Sequence, residues 1–258
     1  MPWGVFDSGI GGLTVVRALR AAFPSRDILY VGDTARVPYG NKSAETVQTY
    51  TREIVEFLEA KGAERIVAAC NTASALAVES LAKTSKIPIH GMIESGVASA
   101  LAAGDGPVGV IGTPATIASG AYQKALTKAR PGLRVVTQAT PLFVPLVEEG
   151  WLEGEVTEKV ARQYLEPLMK EKIQVLVLAC THYPLLKGVL GKVLGSGVSL
   201  VDSSEACAAA LKPMDHRPEK GELKIFLTDE PGPFLGRVEG FLGKGAVAAI
   251  ERIHLPHG

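Results

Sequence analysis

The sequence predicts an α/β fold of two pseudo-symmetric domains, in which mostly parallel sheets are flanked by helices and the active site lies between the domains. Three observations predict this architecture. Short β-rich runs alternate with helical stretches along the whole chain, as in successive βαβ units. Most of these runs lack polar alternation, which is typical of strands covered on both faces. The two halves of the chain also share an internal repeat.

The strands follow from runs rich in Val, Ile and Leu. A polar or small residue ends most of these runs, which is where a parallel strand turns toward its helix. The predicted strands are Gly4–Phe6, Ile28–Val31, Arg65–Ala69, Ile87–His90, Val108–Ile111, Arg134–Thr137, Val175–Ala179, Ser199–Val201 and Leu223–Leu227.

Two helices have clear periodicity. Ser43 is a candidate N-cap for the first, and Gly62 is its predicted C-terminal stop. The second runs from about Glu155 to Glu171, with Pro167 as a candidate kink. The predicted apolar faces are Val47, Tyr50, Ile54 and Leu58 in the first helix and Val156, Val160, Tyr164 and Leu168 in the second.

The repeat appears at two landmarks. Arg65–Thr72 reads RIVAACNT and Val175–His182 reads VLVLACTH, with their cysteines 110 residues apart. Gly4–Ser8 aligns with Gly109–Thr113 at a similar offset of 105 residues. Because ligands of such sheets bind beyond the carboxyl ends of the strands, two facing halves would enclose one site. We expect residues 1–93 plus 204–258 to form the first α/β domain and residues 94–203 the second.

Composition excludes several classes of protein. Lys and Arg together number 27, as do Asp and Glu, and this zero net charge disfavours a nucleic-acid partner. The longest uncharged stretch, Gly106–Gln123, is interrupted by polar residues, glycine and proline, so we expect no membrane span. The N-terminal MPWGVFDSG does not resemble a signal peptide. Three widely spaced cysteines make no disulfide framework, so we expect a soluble, cytoplasmic protein.

Cys70 and Cys180 are the main candidates for chemistry. Each follows an apolar strand and precedes small polar residues that suit a helix N-terminus. Free backbone N–H groups there favour the thiolate and bind carboxylates, so we expect the thiol pKa values to be lowered. A lone cysteine in such a place is more often a buried apolar residue, but two at equivalent positions favour a function. Cys207 lacks this context and is interpreted as packing.

Two thiols could form a redox pair, a metal site or two acid/base groups. No Cys-x-x-Cys motif occurs, and no Cys/His cluster has zinc spacing. A single cysteine nucleophile with His182 as its partner would leave the other cysteine unexplained. Symmetry favours one thiol on each side of a substrate carbon, one removing a proton and the other returning it.

Other polar residues near strand ends allow two interpretations. Asp7 is equally an N-cap or a functional carboxylate, and the glycines after it permit close backbone approach to a ligand. The third glycine of a dinucleotide-binding motif is missing here. Pro38-Tyr39-Gly40 is by default an ordinary turn, and Glu148 is by default part of a solvated helix end.

Five motifs together resemble the glutamate racemases, a family of cofactor-independent amino-acid racemases. They occur in the family's order and cover about Val5 to Glu230. One departure is Ser95, where the family often has proline, which concerns the stiffness of the domain crossing. The motifs are FDSGIGGLTV (Phe6–Val15), GDTARVPYG (Gly32–Gly40), AACNTASA (Ala68–Ala75), PLFVPLVEEG (Pro141–Gly150) and ACTHYPLLK (Ala179–Lys187).

This resemblance implies roles for individual residues. Cys70 would deprotonate D-glutamate and Cys180 would deprotonate L-glutamate, each thiol acting as the acid in the other direction. Asp7 and Glu148 match the carboxylates that assist the thiols, and His182 matches the imidazole beside the second cysteine. No cofactor or metal is implied. The matching substrate-binding positions are Ser8, Tyr39, Gly40, Asn71, Thr72, Thr113, Thr116 and Thr181.

The resemblance also implies a biological context: an isomerase that supplies D-glutamate for peptidoglycan synthesis, and hence for cell-wall biogenesis and cell shape. Its partner would be the small-molecule substrate, glutamate. Because members of the family are often dimeric, the resemblance also implies a homodimer. Three alternatives remain open at this point. They are a related racemase acting on aspartate or hydantoins, a non-catalytic amino-acid-binding protein, and a regulatory partner of another protein.

Overall fold

The computed structural model describes residues 1–211, 220–242 and 249–256. Its strands form two parallel sheets flanked by helices, so the predicted fold class is confirmed. The strands are β1 Trp3–Asp7, β2 Ile28–Gly32, β3 Arg65–Ala68, β4 Ile89–His90, β5 Val108–Gly112, β6 Val135–Ala139, β7 Val175–Ala179, β8 Ser199–Asp202, β9 Leu223–Leu227 and β10 Ala249–Arg252. The helices are α1 Leu13–Ala22, α2 Ala44–Ala60, α3 Asn71–Leu76, α4 Val78–Leu81, α5 Met92–Ala103, α6 Pro114–Ser119, α7 Ala121–Ala129, α8 Phe143–Glu148, α9 Glu155–Lys170, α10 Lys187–Leu194, α11 Ser203–Ala210 and α12 Leu235–Leu242.

The order of strands reproduces the repeat seen in the sequence. One sheet has the order β10-β9-β2-β1-β3-β4 and the other the order β6-β5-β7-β8. Strand β5 therefore takes the place of β1 and strand β7 the place of β3, as the two aligned landmarks predict. Strands β9 and β10 extend the edge of the first sheet beside β2, so the chain returns to that sheet near its end.

The predicted domain division stays a prediction, although all strands within residues 94–203 belong to the smaller sheet. The chain crosses from one sheet to the other through α5, so Ser95 lies inside a helix. Residues 212–219, 243–248 and 257–258 of the predicted first domain lie outside the described residues.

The predicted strands coincide with β1 to β9, most of them within one or two residues. The exception in length is the run Ile87–His90, of which only Ile89–His90 is strand. Strand β10 was not expected, because its short sequence AIER carries little apolar signal. It pairs with β9 all the same, because the edge of the sheet supplies hydrogen bonds that the sequence pattern does not reveal.

The first predicted helix is confirmed, and the second needs one correction. In α2 the Ser43 hydroxyl accepts from the Thr46 amide at 3.2 Å, and Gly62 follows the helix with a φ of +80°. In α9, Val156 was expected on the apolar face but is 52% exposed. The predicted Val160 and Tyr164 are partly buried against the core, and Leu168 is buried as predicted. Apart from Leu168, the fully buried stripe lies one residue further along the helix, which packs against both β6 and α10. The residues of this stripe are Thr157, Ala161, Leu165 and Leu168.

The largest apolar core joins the two sheets through the helices between them. It includes Val5 and Leu13 from the first sheet and its helix, and Ile111 and Leu178 from the second sheet. Because core side chains pack at crystal-like density, this continuity holds the carboxyl ends of both sheets in one arrangement. Among the described residues, no helix has both the length and the apolar character needed to cross a bilayer.

Candidate active site

A cavity of about 40 Å³ lies where the carboxyl ends of the two sheets meet. All predicted site residues line it except Thr116, whose hydroxyl lies 3.1 Å from that of Thr72. The structure thus brings the predicted residues together. The lining residues are Asp7, Ser8, Gly9, Val37, Pro38, Tyr39, Gly40, Cys70, Asn71, Thr72, Thr113, Val144, Glu148, Ala179, Cys180, Thr181 and His182.

Cys70 enters the cavity from the first sheet. It directly follows β3 and Ala69 and caps α3, and its Sγ accepts from the Ala73 amide at 3.5 Å. Burial, together with the negative charge of Asp7, raises its pKa to about 12, although hydrogen bonds from Ala73 and Ser8 lower it in part. The expectation of a lowered pKa is therefore wrong for Cys70 in this state. Burial outweighs the N-terminus of a helix only six residues long.

Cys180 enters from the second sheet, directly after β7. A single 3₁₀ turn over Tyr183–Leu186 follows it, so α10 begins too far along the chain to cap this thiol. Its partner is instead His182, whose Nδ1 lies 3.9 Å from the Cys180 Sγ. The other ring nitrogen, Nε2, lies 3.2 Å from a carboxylate oxygen of Glu148. Thiol, imidazole and carboxylate therefore form one chain of contacts.

The charges along this chain reinforce one another. Burial lowers the pKa of His182, but the hydrogen bonds with Cys180 and Glu148 outweigh it and raise this pKa to about 10. The hydrogen bond from His182 lowers the pKa of Glu148. At neutral pH the pair is thus an imidazolium and a carboxylate. Glu148 is the last residue of α8, as its interpretation as a helix end requires, but its side chain is half-buried and contacts His182 instead of being fully solvated.

Asp7 occupies the end of β1 and is almost fully buried. Its Oδ2 accepts from the Gly9 amide at 3.1 Å, while α1 is capped by Gly12, so Asp7 is not the N-cap of that helix. Burial raises its pKa, and the nearby His182 charge and three backbone N–H groups lower it in part. Asp7 therefore holds a carboxyl group in the cavity with an unusually high proton affinity.

The glycines after Asp7 make room for side chains more than for a ligand. A Cβ on Gly11 would lie 2.5 Å from His182 ring atoms and from the Thr181 hydroxyl. A Cβ on Gly12 would lie 2.5 Å from the Cβ of Asp7. Only Gly9 of the three glycines lines the cavity, so the expected close approach to a ligand is limited to that residue.

Three threonines join loops of the two sheets beside the cavity. The hydroxyls of Thr72 and Thr113 are 3.0 Å apart, and those of Thr113 and Thr116 are also 3.0 Å apart. Gly40 packs against this group, because a Cβ there would lie 2.6 Å from the Cβ of Thr113. Four of the substrate-binding positions implied by the resemblance therefore form one connected wall: Gly40, Thr72, Thr113 and Thr116.

Tyr39 leads to a buried ionic cluster that the sequence analysis missed. Its hydroxyl donates to Asp33 rather than into the cavity. Arg36 bridges the carboxylates of Asp33 at 2.8 Å and Glu53 at 2.5 Å, and its guanidinium lies 4.0 Å above the ring of Tyr50. Asp33 and Arg36 both stand within the motif GDTARVPYG, which was the available signal.

The apolar side of the cavity was also missed. Val37, Pro38 and Val144 line it and lie inside two of the motifs quoted from the sequence. Apolar side chains in a loop carry no chemical signal in the sequence that would set them apart from packing residues. Within the described residues, no cluster of three or more potential ligands could hold a metal ion.

Comparison with known proteins identifies the family. The model of the Asp/Glu/hydantoin racemase family matches residues 13–211. The chain belongs to this racemase family. It is 49% identical over 266 residues to a glutamate racemase of Geobacter metallireducens, with 99% of this chain and 98% of that protein covered. It is an enzyme of the isomerase class, and the match extends over nearly the whole length of its relatives.

Solved structures of racemases have the same fold. A glutamate racemase isoform from Bacillus anthracis superposes with a TM-score of 0.94 at 36% identity, covering 99% of this chain and 98% of that one. A glutamate racemase from Francisella tularensis, solved in complex with D-glutamate, superposes with a TM-score of 0.90 at 38% identity. It covers 100% of this chain and 98% of that one.

Proposed function

We propose that this racemase interconverts L-glutamate and D-glutamate without a cofactor, using Cys70 and Cys180 as two acid/base groups. One observation carries the proposal. Two buried thiols from equivalent strands line the same cavity, and each has its own ionisable neighbour. Binding alone needs no thiol, and a single-nucleophile mechanism would use only one of them.

In the proposed reaction one thiolate removes the α-proton, and the C–H electron pair remains on the α-carbon as a carbanion. The thiol on the opposite face then donates its proton to that carbon, which inverts the configuration. The thiolate and thiol have exchanged states, so proton exchange with water restores the starting form. Preorganised charges in a water-poor site offset part of the cost of the carbanion.

On the Cys180 side, the imidazolium of His182 supports the thiolate. Its positive charge lies 3.9 Å from Sγ, and Glu148 keeps the ring oriented and protonated. Following the family's pattern, the Cys180 thiolate deprotonates L-glutamate.

On the Cys70 side, the resting group is a thiol, since burial and Asp7 raise its pKa to about 12. A protonated Cys70 can donate its proton to the carbanion, which is the step that completes the formation of D-glutamate from L-glutamate. In the reverse direction Asp7, whose own pKa is raised, accepts the thiol proton as D-glutamate binds. Two different neighbours thus serve one symmetric task.

The substrate is held by hydroxyl, amide and backbone groups. Glutamate presents two carboxylates that accept hydrogen bonds, and the cavity offers donors on Ser8, Asn71, Thr72, Thr113 and Thr181. Tyr39, Gly40 and Thr116 shape the same wall. The relatives named glutamate racemases, one of them in complex with D-glutamate, favour glutamate over aspartate or hydantoins.

The proposal extends to the cell. D-glutamate made by this enzyme would supply peptidoglycan synthesis in the cytoplasm, a reducing compartment that suits the three free cysteines of the described residues.

We also propose the division into domains at residues 1–93 plus 204–258 and 94–203, and a homodimer. Light scattering tests the dimer, and a mass near 27.2 kDa would refute it.

Proton NMR in D2O tests the reaction. Purified protein is incubated under reducing conditions, without added cofactor, with L-glutamate, D-glutamate or L-aspartate. We expect the α-proton signal of both glutamate enantiomers to disappear, with racemisation, and that of aspartate to persist. Exchange with aspartate alone would show that aspartate, and not glutamate, is the substrate. Exchange with none of the three amino acids would refute the proposal.

A further inference from the structure

A chain of buried hydrogen bonds holds Asn71, the residue after Cys70. The Tyr122 hydroxyl donates to its Oδ1 at 2.7 Å, and its Nδ2 donates to the Ser203 hydroxyl at 3.3 Å. Ser203 in turn donates to the backbone carbonyl of Leu178 at 3.1 Å. All three side chains are buried, and only that of Asn71 lines the cavity.

The direction of each hydrogen bond follows from the last acceptor. The carbonyl of Leu178 can only accept, so the single hydroxyl proton of Ser203 is used there. Ser203 must then accept from Asn71, which directs the amide nitrogen of Asn71 toward Ser203 and its oxygen toward Tyr122. Tyr122 completes the chain as a donor to that oxygen at 2.7 Å, which is much shorter than its other acceptor contact, with the backbone carbonyl of Met92 at 3.4 Å. Reversing the amide would leave Ser203 without a donor.

This orientation decides what Asn71 presents to a ligand. An amide nitrogen carries two hydrogens, so donating one to Ser203 leaves the other for an acceptor in the cavity. A substrate carboxylate is such an acceptor. With the amide reversed, its oxygen would face the carboxylate and the two acceptors would repel each other.

Tyr122 and Ser203, the two residues that hold the Asn71 amide, belong to elements connected to the other sheet. Asn71 begins α3 after a strand of the first sheet, whereas Tyr122 lies in α7 and Ser203 begins α11, both connected to the second sheet. Gly96 of α5 makes room for the hydroxyl, because a Cβ there would lie 3.0 Å from it. The orientation of the Asn71 amide therefore depends on the packing of α3, from the first sheet, against α7 and α11, which are connected to the second.

We propose that Tyr122, supported by Ser203, is a positioning residue that orients the Asn71 amide as a donor to a carboxylate of the substrate. The substrate named here rests on the proposed function. Tyr122 itself does not line the cavity. Its removal should therefore weaken substrate binding and leave the proton transfers largely intact.

The test is Tyr122→Phe, which removes the hydroxyl and keeps the ring. We expect KM for both glutamate enantiomers to rise about ten-fold and kcat to change less than about two-fold, because one buried acceptor loses its partner. Tyr183→Phe is the matched control. Its hydroxyl is also buried and bonds to Thr140 at 2.7 Å, but the residue does not line the cavity, so KM should stay unchanged.

A double variant separates positioning from general packing. In the Asn71→Ala background, Tyr122→Phe should add no further change in KM, because its target is gone. An unchanged KM in Tyr122→Phe, or an equal rise in Tyr183→Phe, would overturn the inference. If Tyr122→Phe does not fold, Ser203→Ala interrupts the same chain at its other end and should raise KM in the same way.

The activity of the unaltered protein shows whether a negative result concerns the role of Tyr122 or the proposed function. If it racemises glutamate and the KM of Tyr122→Phe is normal, only the role of Tyr122 fails. If the unaltered protein does not act on glutamate, the proposed function fails, and the substrate contact assigned to Asn71 fails with it.

Discussion

Replacing Gly11 by alanine should displace His182 and so disable the Cys180 side of the site. The new Cβ would lie 2.5 Å from the Cε1 and Nδ1 atoms of His182, whereas ordinary contacts begin at 3.4 Å. Something must therefore move by about 1 Å. The imidazole lies between Cys180 and Glu148 and packs edge-to-face on Phe241 at 5.7 Å, so any retreat disturbs these contacts.

The expected magnitude follows from this displacement. A misplacement of about 1 Å in a catalytic group can cost about 100-fold in rate, so we expect kcat to fall about 100-fold. Overpacking a buried site also costs about 1–3 kcal/mol of stability. We expect the free energy of unfolding of Gly11→Ala to fall by an amount in that range.

Circular dichroism measures both results. The loss of optical activity of each glutamate enantiomer gives kcat, and urea unfolding gives the stability. Gly188→Ala in α10 is the control, because its Cβ would meet nothing within 4 Å and alanine favours a helix by up to about 1 kcal/mol. The control should keep its kcat. A Gly11→Ala enzyme as fast and as stable as the unaltered protein would refute this reasoning.

Three further predictions concern charge and packing near the site. The raised pKa of His182, about 10, means that between pH 6.5 and 10 the folded chain keeps a proton that the unfolded chain releases. Stability from this group is complete below pH 6.5 and should fall by up to about 1.4 kcal/mol per pH unit across that window. Urea unfolding at a series of pH values should show this slope, and His182→Asn should lack it. Arg36→Met removes the guanidinium that contacts the buried carboxylates of both Asp33 and Glu53 and should cost about 3–5 kcal/mol by urea unfolding; a loss below 1 kcal/mol would contradict the role of the cluster. Gly40→Ala, with its Cβ 2.6 Å from Thr113, should raise KM more than it lowers kcat, and steady-state kinetics showing the opposite would place Gly40 elsewhere in the reaction.

The sequence predicts most of the fold because parallel strands buried on both faces leave a strong local signal. The runs around Val5, Val110 and Val177 are apolar from end to end, and their burial in the structure agrees. The paired Ala-Cys endings at Cys70 and Cys180 locate the cavity, since strand ends of facing sheets must converge. Strand β10 has no such signal and depends on an open sheet edge.

The chemical state of the site is less visible in the sequence. A helix N-terminus favours the thiolate, but burial removes the water that would stabilise that charge, and the depth of burial of Cys70 comes from the whole fold. The partner of Cys180 is likewise a spatial matter, because Glu148 reaches His182 from a different element. Tyr122 and Ser203 could not be selected from the sequence, because they touch Asn71 only through tertiary contacts.

The most direct test of the central claim is the pattern of deuterium incorporation in D2O at early times. If two thiols act from opposite faces, the product enantiomer carries solvent deuterium at its α-carbon while the recovered substrate keeps its proton. We predict this pattern in both directions, and its loss together with racemisation in Cys70→Ser. Equal deuterium in substrate and product from the start, or near-normal turnover by Cys70→Ser, would contradict the two-thiol mechanism.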